Sequence, residues 1–400
     1  MLLGRNMDRE LKGDLGIWVV LIVLSLFSLL AVYSSTGSIA HTSNGGDVTS
    51  YLINQIIFLG FGFIITYIVH LMPYMKFAKL GRILLVIAVI LLIYTMFFGE
   101  VINHASRWIR IPIIGLTFQT SEFAKLALII YLAREISDRQ DNIKSFRDAF
   151  VPIIIPILIV CGLIAPSNLS TSLLIFFTGL TMMFMGRLSL KWLAILVLFG
   201  IVLFGVIIAL GYFFPDYVRV GTWINRLSNF RGTGVVDDYQ VSRAKMAIAN
   251  GGWFGLGPGN SIQRNFIPYP YADFIFAIIC EEYGIFGAFA VLSLFALFFV
   301  RCFILVLKSP KAFGAILAMG LCLNITIQAL ANMAVAVNVM PVTGVSLPLI
   351  SKGGSSLFFM SISFGIILSV SKFIEDYSSK VPNPITDDQT LKTTQDESNH

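Results

Sequence analysis

Residues 249–287 read ANGGWFGLGPGNSIQRNFIPYPYADFIFAIICEEYGIFG, and this stretch joins a polar loop to an apolar helix. Five glycines and three prolines lie between Gly251 and Pro270, where they favour tight turns and oppose an early helix start. An apolar run then follows one carboxylate, Asp273. The pattern predicts that the loop holds this acid at the edge of a membrane and that the other segments build its surroundings.

The composition is typical of a membrane protein with several spans. Apolar residues make up 56% of the chain and charged residues 12%, and the mean hydropathy is +0.83. A soluble domain has about 25% charged residues, whereas apolar runs of about 20 residues can cross a bilayer as helices. We therefore expect an all-α polytopic membrane protein, built as a bundle of about ten transmembrane helices.

The expected spans lie near residues 16–35, 52–72, 82–98, 119–133, 150–165, 168–185, 191–214, 273–300, 312–340 and 346–372. Basic residues concentrate in alternate loops, which by the positive-inside rule places both chain termini in the cytoplasm. This organisation predicts a cytoplasmic N-terminus at residues 1–15, a membrane domain at 16–373 and a polar, disordered cytoplasmic tail at 374–400.

The loop at residues 215–272 is the longest and falls on the extracytoplasmic side in this topology. Loops of this length are usually functional. Six basic residues in it indicate an anionic ligand: Arg219, Arg226, Arg231, Arg243, Lys245 and Arg264. Within it, Gln240–Asn250 has the pattern of a short amphipathic helix lying on the membrane surface.

Several kinds of site are not expected. The four cysteines fall within apolar runs and are interpreted as small buried hydrophobic residues. The four histidines are scattered, which argues against a histidine metal site. The glycine run lacks the Gly-Lys-Ser/Thr of a nucleotide-binding loop, so no nucleotide is expected. The net charge of +6 is attributed to membrane orientation, so no nucleic-acid partner is expected either.

Four motifs, in family order, closely resemble the SEDS family, which comprises the FtsW, RodA and SpoVE proteins. They are Arg107-Trp108 with Gln119–Lys125, then Gly255–Gln263, Ala272–Gly284 and Leu347–Ser356. The resemblance implies a peptidoglycan glycosyltransferase of the bacterial cytoplasmic (inner) membrane that polymerises lipid II and releases undecaprenyl pyrophosphate. It also implies a class B penicillin-binding protein as partner and, because Ser355-Ser356 and the residues after Asp273 favour the FtsW type, the membrane proteins of the division machinery.

Three positions depart from the family pattern. Thr120 stands where the family has proline, so the helix entry is less rigid. Asn168 stands where the family has aspartate, so no acid can be given a role there. Lys352 stands where the family has tyrosine, which adds a cation near the outer face.

The chemistry implied by the resemblance requires little machinery. Pyrophosphate is a good leaving group, so one base and positive charge for the departing phosphates suffice. Asp273 is the candidate catalytic base. The alternative is that Asp273 only caps the following helix, as aspartate often does. A divalent cation, Mg²⁺ or Mn²⁺, could bridge Asp273 and the pyrophosphate, which makes Asp273 the candidate metal ligand.

Eight further residues are candidates for substrate binding. Glu122 and Lys125 share a helix face, and they either form a buried ion pair that fixes packing or line a cavity for the lipid II headgroup. Arg107, Arg226, Arg243 and Lys352 are candidates for phosphate contact, and Ser261 and Gln263 for contact with sugar or amide groups. Glu281 and Glu282 are expected to be structural and to face the interior of the bundle.

Three other functions remain open from the sequence. A lipid II flippase or transporter also has many spans and charges inside the membrane. A RodA-like polymerase would act in elongation and cell shape rather than in division. A scaffold that only recruits the transpeptidase would need helix surfaces but no catalytic acid.

Overall fold

The computed structural model describes residues 12–43, 48–102, 105–110, 117–213, 221, 226, 228–230 and 239–379. Residues 1–11 of the predicted N-terminus, Arg219 and Arg231 of the long loop, and the predicted tail from residue 380 lie outside the described residues. The last helix ends at Ser378 rather than at residue 373, so the first residues of the predicted tail are helical.

Eleven α-helices are found in the described part of the chain. They are α1 (Leu15–Ser43), α2 (Val48–Leu71), α3 (Met75–Phe98), α4 (Thr120–Asp138), α5 (Val151–Ile164), α6 (Leu169–Met185), α7 (Leu190–Phe213), α8 (Tyr239–Gly251), α9 (Ile275–Leu307), α10 (Ala312–Ala336) and α11 (Gly354–Ser378). A π-helical turn, Phe146–Phe150, precedes α5. All except the short α8 correspond to the ten predicted spans.

Seven of these segments are long and apolar enough to cross a membrane: α1 up to Thr36, α2 from Thr49, α3, Phe146–Ile164, α9, α10 and α11. The apolar helix α6 is shorter, as is the Leu190–Val202 part of α7. Helix α4 carries five charged residues among nineteen. The predicted polytopic membrane fold is therefore confirmed, and α4 is the span that length and hydropathy alone detect least well.

The core of the bundle is formed by α10 and α11, which are its most buried helices. Helix α11 packs along α2, α9 packs between α1 and α10, and α4 packs on α3 and α10. Large apolar side chains cover the outer surface, among them Ile57, Phe61 and Ile64 of α2. This distribution suits contact with lipid tails outside and close packing inside. All four cysteines are buried, as predicted.

One end of the bundle, here named the loop end, contains residues 99–102, 105–110, 117–119, 239–274 and 337–353. A three-stranded antiparallel sheet lies there, formed by β1 (Glu100–Ile102), β2 (Ala105–Arg110) and β3 (Thr117–Gln119) in that order. Trp108 is paired with Glu100 on one side and with Gln119 on the other. The all-α expectation did not include this sheet, which leads directly into α4.

The predicted last span began at residue 346, but α11 begins at Gly354. Residues 337–353, here named the connecting segment, are irregular instead, because Pro341 and Pro348 lack backbone donors and two residues other than glycine have positive φ, Asn338 (57°) and Leu349 (61°). Side chains bind its carbonyl groups: Arg226 donates to Val342 (3.0 Å), Asn332 to Val345 (2.8 Å), Gln328 to Ser346 (3.1 Å) and Ser28 to Ile350 (3.0 Å).

The long loop is attached to α9 by its backbone. Helix α8 confirms the amphipathic helix predicted at 240–250, but its apolar face packs on α9 rather than only on the membrane surface. Gly284 breaks the geometry of α9 (φ 65°). At this break the carbonyl groups of Glu281 and Glu282 accept hydrogen bonds from Leu256 (2.9 Å) and Gly257 (3.0 Å).

Replacement of Gly255 by alanine tests this close approach. Gly255 has φ +77°, and a Cβ atom there would overlap the carbonyl group of Glu282. We expect Gly255→Ala to lower the free energy of unfolding by at least about 2 kcal/mol, because both strain and overlap result. The measurement is thermal unfolding of the purified protein in detergent.

The matched control is Gly259→Ala, which has nearly the same φ (+78°) and open space around the Cβ position. It should cost about 1 kcal/mol, the strain alone. Equal destabilisation by the two substitutions would contradict the close approach.

Candidate functional site

Asp273 lies at the loop end, partly buried, two residues before α9 begins at Ile275. Phe274, the residue after Asp273, occupies the cap position of α9 and gives no side-chain hydrogen bond to the helix. A Cβ atom on Gly344 would lie 3.8 Å from Oδ2 of Asp273, and Gly344 has φ +65°. The carboxylate therefore faces the connecting segment at a residue that has no side chain.

Three hydrogen bonds fix the backbone around this acid. The amide of Asn332 on α10 donates to the carbonyl of Asp273 (2.7 Å) as well as to Val345. The hydroxyl of Ser351 donates to the carbonyl of Ala272 (2.6 Å). The backbone N–H of Lys352 donates to the carbonyl of Tyr271 (3.0 Å). The acid is thus held between α10 and the connecting segment.

Two buried polar atoms close to Asp273 have no hydrogen-bond partner among the described residues: Oδ1 of Asn332 and Oγ1 of Thr343. Asn332 contacts Asp273 directly, and Thr343 precedes Gly344. Buried polar groups are nearly always paired, and exceptions often mark functional sites. Their position supports Asp273 as the centre of the candidate site.

Glu122 and Lys125 form the predicted pair, with 2.8 Å between Nζ and Oε1. Lys125 also donates to Gln328 on α10 (3.0 Å), and Gln328 in turn donates to the connecting segment. The ammonium of Lys125 is buried and bound on both sides. These contacts support the first alternative, an ion pair that fixes packing. A cavity of about 200 Å³ reaches Lys125, but its other lining residues are mostly apolar.

Ser261 and Gln263, predicted to contact substrate, are buried instead. The hydroxyl of Ser261 donates to Glu281, and the backbone N–H of Gln263 donates to the same carboxylate (3.1 Å). Glu282 accepts from Ser34 of α1 and from the backbone of Ser261 (3.4 Å). Both glutamates are buried and face the interior of the bundle, as predicted, and Ser261 and Gln263 attach the loop to α9 through Glu281.

The predicted phosphate-binding cations have different surroundings. Arg226 lines an open cavity together with Lys245, Asn229, Ser242 and Asn338, and its empty space of about 360 Å³ includes solvent at the mouth. This cavity adjoins Val342, which is two residues from Gly344, the residue that the carboxylate of Asp273 faces. Arg243 lies over the rings of Tyr239 (5.0 Å) and Phe266 (4.6 Å). Arg107 belongs to β2, and its side chain lies outside the described residues.

Lys352 lies over the rings of Tyr51 (3.9 Å) and Tyr271 (5.0 Å). Burial lowers the pKa of this ammonium below its usual value. Lys352 is part of the connecting segment, whereas Arg226 contacts this segment at Val342.

Potential metal ligands are not clustered among the described residues. No group of three or more His, Cys, Asp or Glu residues lies together within the residues that the structure describes.

Comparison with known proteins identifies the family. The FTSW_RODA_SPOVE model, described as "Cell cycle protein", matches residues 14–376. The chain belongs to the FtsW/RodA/SpoVE family. A curated relative from Bacillus subtilis, "Probable peptidoglycan glycosyltransferase FtsW", is 32% identical and covers 92% of both chains. "Stage V sporulation protein E" of the same organism is 31% identical over 91% of this chain and 98% of its own.

Two solved structures share the fold of this family member. One, from a study of a peptidoglycan synthase complex, has a TM-score of 0.73 at 24% identity and covers 90% of this chain and 98% of its own. The other, the rod shape determining protein RodA of Thermus thermophilus, has a TM-score of 0.65 at 23% identity and covers 90% and 97%. The predicted family and fold are thus confirmed.

The pair Glu122–Lys125 gives a test of its structural role. Lys125→Met leaves the carboxylate of Glu122 without its cation, and we expect a loss of about 3 kcal/mol in the free energy of unfolding. The double variant Glu122→Gln with Lys125→Met should recover much of this loss, because no uncompensated charge remains. The measurement is a double-mutant cycle of thermal unfolding in detergent. Additive effects would contradict the structural role.

Proposed function

We propose that this protein is a peptidoglycan glycosyltransferase that polymerises lipid II into glycan strands in cell division, with release of undecaprenyl pyrophosphate. The observation that carries the proposal is the position of Asp273, a carboxylate fixed by Asn332 and Ser351 at the loop end of a membrane bundle. The names of the FtsW relatives, which cover most of this chain, support it.

In this reaction the 4-hydroxyl oxygen of the acceptor sugar attacks the anomeric carbon of the lipid-linked donor. The bond between that carbon and the pyrophosphate oxygen breaks, the configuration inverts, and Asp273 takes the hydroxyl proton. A positioned base contributes about 10²–10⁴-fold to such a step. The fixed backbone at Ala272 and Asp273 keeps the carboxylate in one place, which reduces the entropy lost on reaching the reactive geometry.

The departing pyrophosphate needs positive charge. The cavity lined by Arg226 and Lys245 supplies two cations, and the amides of Asn229 and Asn338 supply donors. Arginine can donate two parallel hydrogen bonds to phosphate oxygens. A positive charge already in position stabilises the developing negative charge more strongly where water is excluded. We assign this cavity to the pyrophosphate of the donor.

A divalent cation, Mg²⁺ or Mn²⁺, fits the same surroundings. Such ions are bound by one or two carboxylates together with substrate phosphates, and Asp273 is one carboxylate close to the proposed phosphate cavity. Asp273 would hold the ion, which when bound neutralises developing phosphate charge.

The proposal places the loop end outside the bacterial cytoplasmic membrane and both termini in the cytoplasm. Many basic residues lie at the opposite end of the bundle, as the positive-inside rule requires: Lys76, Lys79, Arg82, Arg134, Arg139, Arg301, Lys308 and Lys311. We propose a class B penicillin-binding protein as partner, with other membrane proteins of the division machinery. The similarity to a chain from a study of a peptidoglycan synthase complex supports this.

Replacement of Asp273 tests the proposal. The wild-type protein, with its transpeptidase partner, lipid II and Mg²⁺ or Mn²⁺, should form glycan polymer, and Asp273→Asn should lower the rate at least about 100-fold because the base is lost. Polymer length and rate are followed by gel electrophoresis of labelled lipid II. Asp138→Asn is the control and should polymerise like the wild type. Asp138 is exposed and is the last residue of α4, at the end of the bundle remote from Asp273.

If Asp273→Asn polymerised lipid II at the wild-type rate, the assignment of Asp273 as the catalytic base would be wrong. A protein that moves the lipid II headgroup across vesicles, with sensitivity to Glu122 and Lys125 but not to Asp273, would be a flippase. Cells that grow normally with Asp273→Ala would indicate a scaffold.

A further inference from the structure

The ammonium group of Lys352 is held in a cage of two tyrosine rings at the loop end. Tyr51 comes from the first turns of α2 and Tyr271 from the segment just before Asp273. The exposed ring of Tyr269 packs edge-on against Tyr271 at 6.1 Å. The side chain of Lys352 is thus positioned rather than free to sample solvent.

This cation has no acidic partner in the part of the chain that the structure describes, because none of the ion pairs found there includes it. Lys125, the other buried lysine considered above, is paired with Glu122. Contact with aromatic rings stabilises a cation by about 0.5–2 kcal/mol. The free energy needed to remove water from a charge is larger, unless an opposite charge is present. A half-buried ammonium of this kind suits an incoming anion.

The surroundings of Lys352 also favour an anion. Helix α11 begins two residues later, and its cap position, Gly353, gives no side-chain hydrogen bond. The hydroxyl of Ser355 in its first turn is buried and has no hydrogen-bond partner among the described residues. The N-terminal end of a long helix carries partial positive charge and free N–H donors. These groups lie within three residues of Lys352 in the chain.

We propose that Lys352, Tyr51 and Tyr271 form a second phosphate subsite, which binds the pyrophosphate of a prenyl-linked substrate beside Asp273. The inference rests on the proposed function, because joining two prenyl-pyrophosphate-linked sugars brings two pyrophosphates to one base. The cavity of Arg226 and Lys245 takes one, and no residue lining it belongs to the Lys352 cage. The cage is connected to Asp273 by the hydrogen bonds of Lys352 and Ser351 to Tyr271 and Ala272.

The experiment measures binding without turnover. The full-length protein in nanodiscs of neutral phosphatidylcholine is titrated with undecaprenyl pyrophosphate, which carries no sugar to transfer. Lys352→Met should raise the Kd about tenfold, the value of one charge-assisted hydrogen bond, and Lys352→Arg should keep most of the affinity. Tyr51→Leu, on a different helix, should weaken binding about threefold through loss of the cage. Thermal unfolding verifies that each variant folds.

Lys311 provides the matched control, because its ammonium also lies over a ring, that of Phe373 (5.6 Å), at the opposite end of the bundle. Lys311→Met should bind like the wild type. Unchanged affinity in both Lys352→Met and Tyr51→Leu would overturn the subsite. Equal competition by phosphatidylglycerol would also overturn it, because the cage would then bind any anionic lipid headgroup.

Kinetics separate this inference from the proposed function. With lipid II as substrate, Lys352→Met should raise KM more than it lowers kcat, whereas Asp273→Asn lowers kcat. Polymerisation by the wild type together with an unchanged KM for Lys352→Met would reject the subsite alone. Absence of polymer from the wild type would reject the proposed function and the inference with it.

Discussion

The arrangement of the loop end depends on how the connecting segment satisfies its backbone. Irregular backbone inside a membrane protein is tolerated only where other groups pair its N–H and C=O groups, since lipid offers no hydrogen bonds. Here Ser28 of α1, Gln328 and Asn332 of α10 and Arg226 of the long loop bind carbonyl groups of the connecting segment. Three separate parts of the chain thereby meet beside Asp273.

A second set of contacts joins the long loop to α9. Glu281 and Glu282 are buried, and a carboxylate in such a place is stable only when donors surround it. Ser34, Asn250, Ser261 and the backbone of Gln263 provide these donors. The loop and the first turns of α9 are therefore one unit, and Asp273 lies where this unit meets α10 and the connecting segment.

The positions of most helices could be predicted from the sequence, because hydropathy identifies apolar runs. The predicted start of α11 was too early, because Leu347, Leu349 and Ile350 are as apolar as the residues of a membrane span. These three side chains are buried by neighbouring segments instead. The short sheet could not be predicted in this way, because Ala105–Arg110 shows no regular alternation of apolar and polar residues. Asp273 and the pair Glu122–Lys125 stood out as charges beside apolar runs.

Other parts of the site needed three-dimensional information. Gln328 and Asn332 are two amides four residues apart on one face of an apolar helix, a spacing that could have indicated their common role. The sequence does not show which partner a loop hydroxyl or amide finds, so it could not show that Ser261 and Gln263 bind inside the protein. Their partner, Glu281, is eighteen or more residues away.

The burial of all four cysteines has a practical consequence for spectroscopy. A water-soluble maleimide meets no accessible native thiol among them in the folded protein. A single cysteine introduced at an exposed position of the loop end, such as Trp253 or Tyr269, would then carry the only probe, so spin labels or fluorophores could follow distances there in the otherwise unmodified chain.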